Sequence, residues 1–159
     1  VLKMGLSLGM KVKVLTRKPR TETLFLDFFD GQTVNFEITS TTDQEEFFND
    51  VDFLSINTPK SDGYIIDAAQ FEMMKDGIFI VNTARGGVLN EVTLLQFIES
   101  GKIAGAALDV FENEPTPELP LLMNPNLSLS PHLGGNTVDA QEKIGAELAA
   151  QIIDIKNKL

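Results

Sequence analysis

Strand-like and helix-like segments alternate along the whole 159-residue chain, and this alternation limits the folds that the chain can adopt. Short apolar runs bounded by glycine or polar residues predict strands, and stretches with apolar residues three or four positions apart predict helices. Repeated alternation requires a mostly parallel sheet covered by helices on both faces. We therefore predict one α/β domain built on a doubly wound, mostly parallel sheet.

The segments can be placed along the chain from these patterns. Strands are predicted at 11–15, 33–39, 51–56, 77–82, 103–110 and 127–129. Helices are predicted at 1–9, 23–29, from Asp43, 67–75, from Asn90 to Gly101, and from Val138 onwards with an apolar stripe at Ile144, Leu148, Ile152 and Ile155. The run at 77–82 is continuously apolar, which is typical of a strand buried on both faces. The proline-rich stretch at 115–125 is predicted to be a connection.

Charge and composition exclude several classes of partner. The net charge of −10 argues against nucleic acid and anionic membranes, because both attract a basic surface. No apolar run approaches the roughly 20 residues that a membrane-spanning helix needs. The chain has no cysteine, which excludes disulfides and thiolate chemistry. We also predict no metal site.

Ligands of doubly wound sheets bind beyond the carboxyl ends of the strands, so the residues that follow each strand are the first candidates for function. Arg85 follows the 77–82 strand and precedes Gly86 and Gly87. Two glycines allow a sharp turn that brings main-chain amides close to a ligand, and a planar guanidinium matches a carboxylate. A single arginine at a turn is usually only a surface residue, but this position favours a binding site.

His132 follows the last predicted strand and is the single histidine of the chain. Any acid–base role for an imidazole must therefore fall to it. Glu112 and Glu114 follow the 103–110 strand. Taken separately, the histidine fits a structural or exposed residue, and the glutamates fit a solvated acidic loop.

Taken together, these strand ends resemble a known family. The blocks at 82–88 (Asn-Thr-Ala-Arg-Gly-Gly-Val), 101–115 and 131–135 (Pro-His-Leu-Gly-Gly) resemble, in order and spacing, three signature blocks of the D-isomer-specific 2-hydroxyacid dehydrogenases. Asn-Thr-Pro at 57–59 resembles the block that precedes them. The resemblance implies a Rossmann-type domain that binds NAD or NADP and acts on a 2-hydroxy or 2-oxo acid. It also implies a cytoplasmic homodimer.

The same resemblance assigns roles to individual residues. Arg85 would bind the substrate carboxylate and polarise the reacting oxygen. His132 would take the hydroxyl proton as hydride leaves C2, and Glu114 would orient the ring and stabilise its protonated form. Asp109 would lie near the nicotinamide and its carboxamide. The remaining cofactor contacts would come from Thr58, Pro59, Thr83, Ala84, Gly134 and Gly135, with Arg85 and His132 also bordering the cofactor.

The adenosine end of the cofactor has its own candidate residues. Thr16, Arg17 and Lys18 follow the first predicted strand, where NAD-specific relatives carry an acidic residue that binds the ribose. A threonine beside two cations suits the 2′-phosphate of NADP better, because arginine can bind phosphate with two parallel hydrogen bonds. A solvated basic turn is the alternative interpretation.

The resemblance also predicts which parts of the enzyme lie outside this chain. The family's first strand and Gly-x-Gly-x-x-Gly turn belong before the helix that begins at Val1, so residues 1–159 are expected to be a partial dinucleotide-binding domain without the substrate domain. The piece alone is then expected to bind cofactor weakly and to be inactive.

Three functional hypotheses follow. The first, which overall likeness favours, is a fragment of a dehydrogenase acting on 3-phosphoglycerate, with glyoxylate or hydroxypyruvate as alternative substrates. The second is a catalytically silent dinucleotide-binding or protein-interaction module on the same fold. The third is a relative with different chemistry such as formate oxidation, which Glu114-Pro115 argues against.

Overall fold

A computed structural model describes residues 1–158 of the chain. The strands are β1 (Thr21–Asp27), β2 (Thr33–Thr39), β3 (Phe53–Ile56), β4 (Ile78–Asn82), β5 (Ile103–Leu108) and β6 (Leu127–Leu129). The helices are α1 (Leu2–Ser7), α2 (Gln44–Phe48), α3 (Ala68–Met73), α4 (Glu91–Glu99), α5 (Leu119–Met123) and α6 (Val138–Lys158).

The predicted parallel sheet is formed by the last four strands. They lie in the order β3-β4-β5-β6, and every neighbouring pair is parallel. A parallel pair needs a crossover connection, and α3, α4 and α5 lie in the three connections of this sheet. The prediction of an α/β, Rossmann-type fold is confirmed.

Side-chain caps fix where the crossover helices begin. Asn90 accepts a hydrogen bond from the Thr93 amide at 3.0 Å, and the Asp67 and Gln70 side chains form a reciprocal capping box at the start of α3. Asp43 caps α2 in the same way, by accepting from the Glu46 amide at 3.0 Å. The predicted helix starts at Asp43, Asp67 and Asn90 are therefore confirmed.

Helices cover one face of the parallel sheet. Leu54, Ile80 and Leu108 point to this face and pack in the core with Phe71 of α3 and Leu94 of α4. On the opposite face, the rings of β3 and β4 residues Phe53 and Phe79 stack at 5.7 Å but stay 60% and 46% exposed. No described residue covers Phe79 fully, so the prediction that the strand at 77–82 is buried on both faces is wrong.

The long helix α6 begins at Val138 as predicted, and it buries none of its described residues. Its predicted apolar stripe is therefore exposed, at Ile144, Leu148, Ile152 and Ile155. No helix within residues 1–158 is both long and apolar enough to cross a bilayer.

The segment predicted as a helix at 23–29 is a strand instead. β1 pairs antiparallel with β2 over its whole length, with Leu24 opposite Phe36 and Leu26 opposite Val34. The connecting turn contains Gly31, whose φ of 82° is a conformation that other residues rarely adopt. Asp-Gly between two alternating apolar segments is a hairpin signal, which the helical interpretation missed.

The predicted strand at 11–15 is also wrong. The backbone groups of a strand need hydrogen-bond partners on a neighbouring strand. Within the described residues, this segment forms one isolated parallel bridge, between Leu15 and Thr41. The segment is therefore extended backbone beside the hairpin. A further difference is α5, which forms inside the proline-rich connection with Pro120 in its first turn, where proline is tolerated.

Candidate active site

The predicted site residues cluster because all four parallel strands end at the same edge of the sheet. Thr58 lies just beyond β3, Arg85 beyond β4, Asp109 directly after β5 and His132 beyond β6. This is the edge at which ligands bind in open α/β sheets.

A buried asparagine holds the turn that carries Arg85. Asn82, the last residue of β4, is 2% exposed; its side-chain oxygen accepts from the Ala84 amide at 3.1 Å, and its nitrogen donates to the Arg85 carbonyl at 3.2 Å. The guanidinium of Arg85 is exposed and donates to the Ala84 carbonyl at 2.6 Å. The backbone of the turn is fixed, and the cationic group is presented to solvent.

Gly86 brings this turn against the loop that follows β5. A Cβ added to Gly86 would lie 1.7 Å from the carbonyl oxygen of Phe111, so only glycine permits this approach. The loop at 109–114 carries Asp109 and Glu114. The close packing therefore places the arginine turn and the acidic loop side by side.

Glu114 and His132 form a hydrogen bond across two loops. Oε2 of Glu114 lies 2.8 Å from Nδ1 of His132, and Oε1 accepts from the Phe111 amide at 2.9 Å. The bond to His132, followed by the Phe111 amide, lowers the pKa of the Glu114 carboxyl. The side chains are 38% (His132) and 35% (Glu114) exposed, so a substrate can reach the imidazole.

The backbone at His132 adopts the left-handed conformation, with a φ of 52°. Such a conformation costs of order 1–3 kcal/mol in a residue other than glycine and persists where the surroundings enforce it. Here the His132 amide donates to the Ser130 carbonyl at 3.0 Å, and the Asn136 side chain donates to the His132 carbonyl at 2.7 Å. These bonds fix the His132 backbone, and the ring itself is oriented by its bond to Glu114.

Asp109 anchors the loop that carries His132 through hydrogen bonds to residues 130, 133 and 134. Its carboxylate is 7% exposed and accepts hydrogen bonds from the Ser130 hydroxyl at 2.6 Å and from the Leu133 and Gly134 amides at 2.8 and 3.0 Å. Burial alone raises the pKa of Asp109, but these three bonds and the His132 charge outweigh it, so the pKa is lowered. Asp109 thus positions the histidine loop, and its predicted proximity to the nicotinamide stays a prediction.

Thr58 provides a structural test of whether a cofactor fits this edge. Its hydroxyl is buried and has no hydrogen-bond partner within residues 1–158, and a buried polar atom of this kind normally has a partner. Of the other predicted cofactor contacts, Pro59 and Thr83 are exposed, Ala84 is half-buried, and a Cβ on Gly135 would meet open space. An unpaired hydroxyl at the edge of the sheet that also carries these small residues fits a polar ligand such as a dinucleotide.

The turn predicted to bind the adenosine end lies apart from this cluster. The Thr16 hydroxyl lies 2.7 Å from the Lys18 carbonyl and 2.6 Å from the Ser40 hydroxyl, so it ties the turn to the hairpin. Arg17 and Lys18 are exposed and form no ion pair with any described residue. The structure brings Glu114 and His132 together and does not bring residues 16–18 to them.

Several residues that organise the site were not singled out from the sequence. Asn82, Ser130 and Asn136 hold the two loops through side-chain bonds to backbone or to Asp109. Asn82 and Ser130 each lie where a predicted strand ends, and polar residues at that position are a signal for turn-holding bonds. Asn136 gave no such signal, because its role depends on the conformation of His132.

Comparison with known proteins identifies the family. Residues 1–134 match the family model described as the NAD binding domain of D-isomer specific 2-hydroxyacid dehydrogenases. A hydroxypyruvate reductase of Thermotoga maritima is 38% identical over 158 residues, which are 96% of this chain and 47% of that protein. A D-3-phosphoglycerate dehydrogenase of Archaeoglobus fulgidus is 40% identical over 111 residues, 68% of this chain and 21% of that protein. The chain thus spans half or less of these relatives.

Solved structures agree with the fold. An NADPH-dependent glyoxylate/hydroxypyruvate reductase of Sinorhizobium meliloti superposes with a TM-score of 0.71 at 28% identity, covering 87% of this chain and 40% of that one. A putative D-isomer specific 2-hydroxyacid dehydrogenase of a Polaromonas species has a TM-score of 0.78 at 20% identity, over 99% of this chain and 47% of that one, which supports the fold alone. The chain belongs to the D-isomer specific 2-hydroxyacid dehydrogenases and comprises sequence of their NAD-binding domain.

Proposed function

We propose that this chain supplies the cofactor-binding and acid–base part of an enzyme that interconverts a D-2-hydroxy acid and its 2-oxo acid. The observation that carries the proposal is the Glu114–His132 hydrogen bond at the carboxyl edge of the sheet. Arg85, held by Asn82 in the neighbouring turn, supplies a cation for the substrate carboxylate.

The geometry favours one division of roles. In the Nδ1–H tautomer, His132 donates a hydrogen bond from Nδ1 to Glu114, and Nε2 keeps a lone pair that can take the substrate hydroxyl proton. The carboxylate then stabilises the imidazolium, and in the reverse direction His132 returns the proton. A nicotinamide cofactor bound at these strand ends would supply the acceptor or donor of the hydride at C2. Proton transfer by a positioned imidazole contributes on the order of 10²–10⁴ in rate.

The cofactor would lie along the strand ends. The unpaired hydroxyl of Thr58 is available to bind a polar group of the cofactor, and the absence of a side chain at Gly135 leaves open space near His132. Arg17 and Lys18 are free to bind a 2′-phosphate, which favours NADP over NAD. The NADPH-dependent Sinorhizobium meliloti relative is consistent with this preference.

The substrate is proposed to be 3-phosphoglycerate, because D-3-phosphoglycerate dehydrogenases of several organisms are about 40% identical to this chain over 111 to 113 residues. A second candidate is hydroxypyruvate. It is favoured by the Thermotoga maritima hydroxypyruvate reductase, whose alignment covers 96% of the chain. A cytoplasmic homodimer is proposed on the family resemblance alone.

The test is an assay of the full-length gene product against 3-phosphoglycerate, glycerate, lactate, hydroxypyruvate and glyoxylate with both cofactors. We expect turnover of D but not L hydroxy acids, with NADP preferred to NAD. Formate is assayed alongside these acids, and its turnover in their place would refute the reaction class. Binding of cofactor without any turnover would support the silent-module alternative.

The 159-residue chain by itself is proposed to bind cofactor weakly. A glycine-rich turn at a helix N-terminus provides much of the anchoring of a dinucleotide's pyrophosphate, and no Gly-x-Gly-x-x-Gly sequence occurs in this chain. Titration of NADH and NADPH fluorescence with the chain measures the affinity. Saturation at micromolar concentration would contradict the expectation.

A further inference from the structure

A buried glutamate outside the proposed catalytic set contacts the acidic loop. Glu91, the first residue of α4, is 6% exposed, and its Oε1 accepts from the Glu112 amide at 2.7 Å. In return, Oε1 of Glu112 accepts from the Glu91 amide at 3.0 Å. Two residues that exchange backbone-to-side-chain bonds in both directions fix the loop to the start of the helix.

A tyrosine from a third segment closes this arrangement. The hydroxyl of Tyr64, in the connection between β3 and α3, donates to Oε2 of Glu112 at 2.9 Å. Both carboxylate oxygens of Glu112 then accept hydrogen bonds, Oε1 from the Glu91 amide and Oε2 from the Tyr64 hydroxyl. Hydrogen bonds to an ionised acceptor contribute more than neutral ones, so the contact is energetically significant although Tyr64 is 43% exposed.

The loop that these residues hold is the one that carries Glu114. Glu112 is two residues before Glu114 and directly follows Phe111, whose amide donates to Glu114 and whose carbonyl abuts Gly86. A displacement of Glu112 must therefore move the carboxylate that pairs with His132. Within residues 1–158, none of Tyr64, Glu91 and Glu112 forms a hydrogen bond with the imidazole itself.

The electrostatics of the cluster agree with this coupling. Burial, with the charges of Glu112, Glu114 and Glu118 adding to it, raises the pKa of Glu91 to about 7. The bond to Glu112 raises the pKa of Tyr64 above its usual value, so its hydroxyl keeps the proton that it donates. Glu91 and Glu114 thus interact through space as well as through the loop.

We propose that Tyr64, Glu112 and Glu91 form a positioning network that holds the 111–114 loop, and through it the Glu114 carboxylate, in the geometry that selects the Nδ1–H tautomer of His132. The inference rests on the proposed function, because it concerns the pair assigned to proton transfer there. It adds three positioning residues, none of which contacts the reacting atoms.

The test uses the fact that His132 is the single histidine of the chain, so ¹⁵N-histidine labelling gives one imidazole to observe. The ¹⁵N shifts of Nδ1 and Nε2 in the neutral ring report the ratio of the two tautomers. The variants are Tyr64→Phe, which removes the hydroxyl, and Glu112→Gln, which removes the charge. Glu114→Gln breaks the pair directly, and Thr33→Val is the matched control, because it removes a hydroxyl that donates to the Asp27 carboxylate at 2.8 Å in the distant hairpin.

We expect Tyr64→Phe and Glu112→Gln to lower the ratio of the Nδ1–H to the Nε2–H tautomer by about threefold to tenfold. Glu114→Gln should shift the ratio in the same direction. The expected size follows because one hydrogen bond to a charged group corresponds to about a tenfold change in an equilibrium. Thr33→Val is expected to leave the ratio unchanged. Amide spectra of each variant establish that the fold is intact.

Two outcomes separate the failures. If Glu114→Gln shifts the ratio while Tyr64→Phe and Glu112→Gln leave it at the wild-type value, the positioning network is refuted and the catalytic pair stands. If Glu114→Gln itself has no effect, the pair proposed for proton transfer is absent in solution, and both proposals fail.

Discussion

Glu91 illustrates at the residue scale how burial changes a titration. The carboxyl of this residue is buried beside three other glutamates, which raises its pKa from 4.5 to about 7. Since the folded pKa lies above the unfolded one, the native state binds the proton more tightly. The associated stability is fully present below about pH 4.5 and is lost as the pH rises through about 7.

Glu91→Gln is therefore expected to stabilise the chain at alkaline pH. The amide oxygen can still accept from the Glu112 amide, and no charge is buried when the pH rises. The free energy of unfolding of the variant should exceed that of wild type by about 1–3 kcal/mol at about pH 8.5 and should be similar at about pH 5. Urea denaturation at the two pH values measures this, and a difference that does not depend on pH would contradict the account.

Individual site residues could be predicted from the sequence where a motif fixes them. Arg85, Glu114 and His132 were found from three blocks at strand ends, and the structure pairs Glu114 with His132 at 2.8 Å. The partners of Glu91 and Tyr64 could not be predicted, because Glu112 is 21 and 48 positions away from them and no local pattern encodes such contacts.

At the element scale, the close approach of two loops depends on one glycine. Gly86→Ala would place a Cβ 1.7 Å from the Phe111 carbonyl, so one of the loops must move. We expect a loss of about 1–3 kcal/mol in stability and a weaker Glu114–His132 pair. Gly63→Ala is the matched control, because its Cβ would meet no atom within 4 Å and it should change thermal stability little. Equal effects of the two variants would refute the role of Gly86.

The hairpin shows why one element was predicted wrongly. The segment contains three consecutive apolar residues, Leu24, Phe25 and Leu26. Such a run fits a helix as well as a strand when the pairing strand is unknown. The pairing with β2 decides between the two, and it depends on contacts that the segment alone does not contain. By contrast, β2 and the helices with capping residues carry their own signals and were placed correctly.

A pair of alanine substitutions tests the strand assignment. Leu26 is 8% exposed and Phe25, its neighbour on the other face, is 50% exposed. Leu26→Ala should lower the free energy of unfolding by about 1–3 kcal/mol, and Phe25→Ala should change it by less than about 1 kcal/mol. Chemical denaturation compares them, and a larger loss for Phe25→Ala would reverse the assigned faces.

At the scale of the whole molecule, four parallel strands place loops from distant parts of the sequence at one edge. Residues 58, 85, 109 and 132 are spread over about half of the chain and meet only because parallel strands share their carboxyl ends. The alternation of segments predicted this edge. The alternation did not predict that Phe53 and Phe79 are exposed on the face of the sheet opposite the helices. An apolar run alone does not indicate whether a helix covers the strand.

The central claim is that His132, oriented by Glu114, moves the substrate proton. The most direct test is the kcat of His132→Ala in the full-length gene product, with its preferred 2-hydroxy acid and cofactor at saturation. Because a positioned imidazole contributes on the order of 10²–10⁴ in rate, kcat should fall by about that factor. A kcat within a few-fold of wild type would contradict the account.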